Sequence, residues 1–240
     1  MNFFTADTHF GHANIIRYSK RPFLTDGDLT SDGQGTSKYH SRTAARKMDE
    51  KLILNWNSTI TRDDDVYHCG DFALARGGNV LQYLRAINFK NLYFIWGNHD
   101  LDMHALKTNI RFYSDLLDRV HFLGDMAEIV VEGQRIVLCH YSMRVWNKSH
   151  AGSWHLYGHS HGSLPDDPHS LSFDVGVDCH DMKPISLEKV KEIMAKKFYV
   201  PIDHHGARPH ETGGVGLSKE DYAKNARRQQ YDQLKKEFGK

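Results

Sequence analysis

The amino-acid sequence predicts an α/β protein. Short apolar, β-branched or aromatic runs alternate with amphipathic helical patterns, and five of those runs end in aspartate, asparagine or histidine. The runs cover residues 3–6, 66–69, 92–96, 129–131, 135–139, 154–157 and 173–177, each with the length and composition of a strand. Between them, a helix follows Asp7-Thr8-His9 and carries Arg17. Met48, Leu52 and Trp56 recur every four residues on one helical face, with Ser41 or Thr43 as its cap. Leu81, Leu84 and Ala86-Ile87 mark a third helix, with Asn79 as its cap. Leu187, Val190, Ile193 and Met194 mark a fourth, opened by Ser186.

Two segments depart from this rhythm. Residues 25–41 hold Gly27, Gly33 and Gly35 and almost no apolar side chain, the composition of a long loop. From residue 204 onward the chain is polar and glycine-rich, then charged. Ser218 and Asp221 resemble a helix start, and Tyr222, Ala226, Leu234 and Phe238 give a thin apolar stripe. The expected organisation is one domain over residues 1–200, with an inserted loop at 25–46, followed by a polar linker and short helix over 201–240.

Composition narrows the function. The 240 residues carry 31 Lys plus Arg against 30 Asp plus Glu, a formal charge of +1. That balance argues against stable binding to a nucleic-acid backbone or to anionic lipid. No run approaches the length of a membrane span, and the first residues lack a secretory signal. Three scattered cysteines fit reduced thiols, so a cytoplasmic setting is expected. The anomaly is histidine. Its 17 copies outnumber the 11 tyrosines and 12 phenylalanines, which points to metal binding or proton transfer.

The strand ends account for five of the 17 histidines. The first strand is followed by Asp7-Thr8-His9, the second by Gly70-Asp71 and the third by Gly97-Asn98-His99-Asp100. The fourth ends in His140 and the fifth in Gly158-His159-Ser160-His161. In open α/β sheets ligands bind beyond the carboxyl ends of strands, so these five loops can converge. Residues i and i+2 of an extended segment point the same way, which lets Asp7 and His9, or His159 and His161, grip a cation. Asp7, His9, Asp71, Asn98, His140, His159 and His161 offer two carboxylates, one carboxamide and four imidazoles. No thiolate joins them, unlike a structural zinc site. Mixed oxygen and nitrogen donors suit manganese first, with nickel, cobalt, iron, zinc or magnesium as alternatives, better than calcium. Seven ligands exceed the needs of one ion with open positions and suit two ions sharing a bridge.

This ordered series resembles the calcineurin-like metallophosphoesterase superfamily over roughly residues 1–190. The segments Gly70-Asp71-Phe72-Ala73 and His140-Tyr141-Ser142-Met143-Arg144-Val145-Trp146 are similar to a compact, mostly microbial and viral branch. The resemblance implies a β-sandwich of two mixed sheets flanked by helices, where alternation alone suggests a single doubly wound sheet. It implies one metal on Asp7, His9, Asp71 and His161, and a second on Asp71, Asn98, His140 and His159, with Asp71 bridging. It further implies a metal-bridging hydroxide as nucleophile, and His99 as general acid beside the leaving oxygen, oriented by Asp100. Taken singly, His9, His140 or His161 reads as a structural histidine and Asp100 as a helix cap. His12, His68, His150, His155, Cys69 and Cys139 are left outside the site.

The expected substrate is a small phosphoester, with a nucleotide first. Arg144 and Arg17 are candidates to hold its phosphate, the alternative being surface salt bridges. Residues 25–46 end in Lys38, Tyr39, His40, Arg42 and Arg46 and would form a lid over a nucleotide, or else a disordered insertion. A nuclease is the alternative enzyme, and a non-catalytic scaffold the alternative class. The scaffold should have lost ligands or the catalytic histidine, and here every position is filled.

Overall fold

The computed structural model describes residues 1–24, 42–74 and 80–203. Strands β1 (Asn2–Thr5), β2 (Asp65–His68), β3 (Asn91–Ile95) and β4 (Val120–Gly124) run parallel, and β9 (Ile185–Ser186) pairs antiparallel with β1. Their order is β4-β3-β2-β1-β9. A second sheet has the order β5-β6-β7-β8, from β5 (Met126–Val131), β6 (Gln134–Cys139), β7 (Trp154–Tyr157) and β8 (Ser172–Asp174). Here β5 and β6 are antiparallel while β6, β7 and β8 are parallel. The helices are α1 (Ala13–Tyr18), α2 (Arg42–Thr59), α3 (Val80–Ala86), α4 (Leu101–Asn109), α5 (Ser114–Leu117) and α6 (Leu187–Met194).

Two consecutive residues of β1 show how the layers are built. Phe3 packs into a core with Ile15, Met48, Leu52, Trp56, Leu92 and Phe94, between the first sheet and helices α1 to α4. Phe4 packs into a second core with Ile95, Ile136, Leu138, Leu156 and Phe173, between the two sheets. Alternation of side chains along a strand sends neighbours to opposite faces. Each fully buried aromatic or aliphatic side chain contributes about 1.5–3 kcal/mol relative to an exposed one. Buried Met48, Leu52 and Trp56 hold α2 on the first sheet. α6 packs Leu187, Val190 and Met194 into the second core, and its cap is the expected Ser186, whose hydroxyl accepts the Lys189 N–H at 3.2 Å.

The seven strand-like runs all become strands, with ends shifted by a few residues. The fold is the sandwich, not the single doubly wound sheet. The chain leaves the first sheet after β4 and starts the second with the β5–β6 hairpin. Its turn residues, Glu132 and Gly133, have φ of 49° and 82°, the left-handed pair that matches strand twist. β4 and β9 are not among the expected strands. β9 has two residues, too few to show a period, and β4 interrupts its apolar pattern with His121. The expected lid lies mostly outside the described residues, as do the caps Ser41 and Asn79 and the tail from residue 204. Of the lid's named cations, Arg46 is described, and it faces Glu50 at 3.6 Å on the exposed side of α2. Among the described residues, no helix is long and apolar enough to cross a membrane.

Candidate metal centre

The loops after the parallel strands are tied together through their backbones. Asp7 N–H donates to the Gly70 carbonyl and His9 N–H to the Asp71 carbonyl, both at 3.0 Å. Val177 N–H donates to Ala6 at 3.1 Å, and Gly158 N–H to His140 at 3.0 Å. Val175 N–H donates to the Tyr157 carbonyl at 2.8 Å, which joins the loops that follow β1, β2, β6, β7 and β8 into one rim. Gly97 and Gly158 allow the closeness. A Cβ on Gly97 would strike the carboxylate and amide of Asp71, and one on Gly158 would come within 2.6 Å of the Ala6 Cβ and 2.7 Å of Asp7 Oδ2. Asp7, His9, Asp71, His159 and His161 have φ of 57°, 50°, 58°, 67° and 48°. Left-handed backbone at non-glycine residues costs of order 1 kcal/mol or more each and clusters at functional sites.

All seven sequence-predicted ligands come together. Asp7, His9 and His161 form one group able to hold a cation, and Asp7, Asp71 and His140 form another. Asp71 Oδ2 stands 3.5 Å from His9 Nε2 and 3.6 Å from His140 Nε2, between the two imidazoles. Its Oδ1 accepts the His99 N–H at 2.8 Å. Asn98 Oδ1 lies 3.0 Å from His140 Nε2 and 3.1 Å from His159 Nδ1, so carboxamide and imidazoles face one another. His161 Nε2 is 3.9 Å from Asp7 Oδ1.

The donor atoms fit a cation. Asp7 Oδ1 and His9 Nε2 are buried and have no hydrogen-bond partner. Burial, then the charges of Asp174 and Asp71, push the Asp7 carboxyl well above the usual range, although the His159 N–H opposes them. Burial, then His161 and Arg21, hold the His9 imidazole well below its usual value. A buried carboxylate among carboxylates beside neutral imidazoles is a site lacking positive charge, which a divalent ion supplies. The outer nitrogens are also set. His140 Nδ1 meets the Cys69 carbonyl at 2.8 Å, which turns Nε2 toward the centre. His161 Nδ1 meets Asp178 Oδ2 at 2.6 Å and Ser19 Oγ at 3.0 Å, and His9 Nδ1 lies 3.3 Å from His12 Nδ1.

His99 lines the same cleft, its ring centroid 5.7 Å from that of His9. Asp100 is buried beneath the site, and its partners differ from the expected one. The carboxylate accepts three backbone N–H groups, from Asp71 at 2.8 Å, Phe72 at 2.8 Å and Gly97 at 2.7 Å. Two tight loops leave these amides without strand partners, and one carboxylate satisfies all three. Burial pushes its pKa up to about 7 against those hydrogen bonds. Arg17 and Arg144 do not line the cleft. Arg17 lies over the Tyr18 ring at 5.1 Å, and Arg144 is exposed on the segment after β6. His68 and His155 are buried and packed, as expected. His12, left outside the site on sequence, lines the cleft beside His9, and three further residues escape the sequence reading: Ser19, Arg21 and Asp178. Asp178 had a visible signal, because β8 is followed by Val175-Gly176-Val177-Asp178 in the same grammar as the other strand ends.

The cleft measures about 880 Å³. Beyond the candidate ligands it is lined by His12, Ile15, Tyr18, Lys20 and Leu74, with Ser160 and Ser163 on the opposite loop.

The chain is similar to several known proteins. An uncharacterized protein of Methanocaldococcus jannaschii, MJ1445, is 28% identical over 198 residues, covering 80% of this chain and 89% of that one. Among solved structures, a protein of unknown function from Aquifex aeolicus, AQ665, has a TM-score of 0.52 at 20% identity, covering 80% of this chain and 98% of that one. A structure described as a novel archaeal phosphodiesterase has a TM-score of 0.40 at 16% identity, covering 73% and 81%. The model of the calcineurin-like phosphoesterase superfamily domain matches residues 37–171, more than half of the chain and the span that carries Asp71, Asn98, His99, His140, His159 and His161. With Asp7 and His9 delivered to the same rim by β1, the chain belongs to the calcineurin-like phosphoesterase superfamily.

Proposed function

We propose that the protein is a dinuclear, divalent-metal-dependent phosphoesterase acting on a small nucleotide. Phosphoester hydrolysis is the reaction class of its family. The observation that carries the metal centre is the pair of buried, partnerless donor atoms, Asp7 Oδ1 and His9 Nε2, beside an Asp71 oxygen turned to two imidazoles. When bound, the two ions would lower the pKa of water toward neutrality and neutralise charge on the phosphoryl oxygens. Asp7, His9, Asp71 and His161 would hold one, and Asp71, Asn98, His140 and His159 the other. Manganese is the first choice, ahead of nickel, cobalt, iron, zinc and magnesium. His99 would pass a proton to the leaving oxygen, its place fixed by the bond from its amide to Asp71. Asp100 would keep the loops of Asp71 and Asn98 in register. The three free cysteines support a reducing, cytoplasmic setting.

A nucleotide is favoured by the rest of the cleft. Its volume suits a ligand larger than phosphate alone. Tyr18, 61% exposed, offers a ring on which a base can stack, Ile15 and Leu74 extend the apolar wall, and Lys20 offers a second cation. The test is hydrolysis by metal-free protein with added Mn, Ni, Co or Mg. The substrates are nucleoside monophosphates, cyclic nucleotides, dinucleotides, ribose 5-phosphate and single-stranded DNA. Nucleotides should outperform ribose 5-phosphate, and Tyr18→Ala should raise KM for nucleotides about tenfold while sparing the sugar phosphate, since base stacking contributes roughly 1–3 kcal/mol. Preference for DNA would make the protein a nuclease. No turnover with any metal would leave the scaffold reading.

A further inference from the structure

Each imidazole ligand has two nitrogens, and whatever holds the outer one decides which faces the centre. For His161 that partner is Asp178. Asp178 is a carboxylate paired with Arg21, so at 2.6 Å from its Oδ2 the ring nitrogen Nδ1 is placed to donate its N–H. The lone pair then sits on Nε2, the nitrogen turned toward Asp7 Oδ1. Asp178 is itself clamped. Arg21 donates Nε–H to Oδ1 and Nη2–H to Oδ2, each at 2.8 Å. The same Nη2 reaches the Asp7 carbonyl at 2.7 Å, and Nη1 reaches the Thr8 carbonyl at 3.1 Å. The Arg21 and Asp178 side chains are only 1% and 9% exposed. One guanidinium thus joins the loop of the first ligands to the carboxylate that orients the last, across 157 positions of sequence.

We propose that Arg21 and Asp178 are positioning residues for the cation held by Asp7, His9 and His161. Asp178 fixes the His161 ring with Nε2 inward, and Arg21 fixes Asp178 against the Asp7 and Thr8 backbone. A buried ion pair is weak evidence for stability, because well-packed apolar residues often serve as well. Placing a ligand is a task that apolar residues cannot do. The inference rests on the metal-centre reading above.

The test is calorimetric titration of the metal-free protein with MnCl2, alongside its melting temperature. Wild type should take up two ions. Asp178→Asn should weaken one site about 10–100-fold and leave the other within about twofold, the size of effect typical of outer-shell partners. In a His161→Ala background, Asp178→Asn should add less than about twofold, because the two act as one unit. Arg21→Lys keeps the buried charge but loses the two-pronged grip. It should weaken the same site, and it carries the test if Asp178→Asn does not fold. A lower melting temperature with both Mn dissociation constants unchanged would overturn the proposal and leave the pair a structural ion pair. An equal loss in the His161→Ala background would overturn it too. Wild-type protein that binds no divalent ion would overturn the metal centre itself, and the positioning role with it.

Discussion

At the scale of single residues, the site is a set of side chains whose needs only a cation can meet together. Asp71 spends one oxygen on the His99 amide and turns the other to His9 and His140. Asp71→Asn should therefore abolish turnover while circular dichroism remains native. His99→Ala should lower kcat about 10²- to 10⁴-fold, the usual range for losing a general acid, with Mn affinity unchanged. Loss of Mn binding in that variant would make His99 a ligand instead. The candidate ligands were legible in the sequence because five polar strand ends recur in order, Asp-x-His, Gly-Asp, Gly-Asn-His-Asp, His140 and Gly-His-x-His, a series far more specific than any one piece. Arg21 was not. Asp178 follows β8 in the same grammar as the other strand ends, but its pairing with an arginine 157 positions away shows only when β1 and β8 bring their loops side by side. Asp100 shows the opposite failure. The family resemblance implied His99 as its partner, whereas the loops of β2 and β3 present three amides that its buried carboxylate satisfies.

At the scale of elements, α2 braces the loop that follows His9. Asp49 on α2 accepts the Gly11 N–H at 3.0 Å and the Tyr83 hydroxyl at 2.9 Å. Burial nevertheless pushes its carboxyl up to about 6. An unfolded aspartate titrates near 4, so between about pH 4 and pH 6 the folded state binds the proton more tightly. Stability from this group therefore falls as pH rises through that window. Asp49→Asn keeps the acceptor and removes the titration. Urea unfolding of the metal-free protein at pH 4 and pH 7 should show wild type losing up to about 3 kcal/mol relative to the variant. Parallel pH profiles would refute the assignment. Helix α2 itself was legible from Met48, Leu52 and Trp56, since a four-residue apolar spacing means one buried face wherever the helix lies. The short β9 was not, because its pairing with β1 depends on α6 drawing the chain back to the first sheet.

At the scale of the whole molecule, both sheets deliver their loops to one edge, so the centre is a joint between the layers. Metal binding should then stabilise the entire fold. A ligand at 100 times its dissociation constant adds about 2.7 kcal/mol. For a domain of this size that corresponds to a melting-temperature rise of roughly 5–10 °C. Differential scanning fluorimetry with MnCl2 against EDTA should show such a rise. Asp7→Asn should lose it while keeping or raising the metal-free value, because it removes a buried carboxylate that sits among Asp71, Asp174 and Asp178. A variant that still gained stability with Mn would place the ion elsewhere. The sandwich was not legible from alternation of strands and helices. The passage from β4 to β5, where the chain crosses to the second sheet, looks like any other turn until the two strands are seen in different sheets.

The left-handed backbone at Asp7, His9, Asp71, His159 and His161 has a bearing on descent. Asparagine, aspartate, histidine and glycine tolerate that conformation best, and three of these four bind hard or borderline metals. A mutation at such a position must satisfy the backbone before it can be judged as a ligand, so β-branched and bulky replacements are removed by misfolding first. The replacements that survive are drawn from the donor residues themselves or glycine. Drift at these positions should therefore change which metal is held more readily than it breaks the fold, and a lineage that lost catalysis should be recognisable by asparagine or glycine where its ancestors had aspartate or histidine.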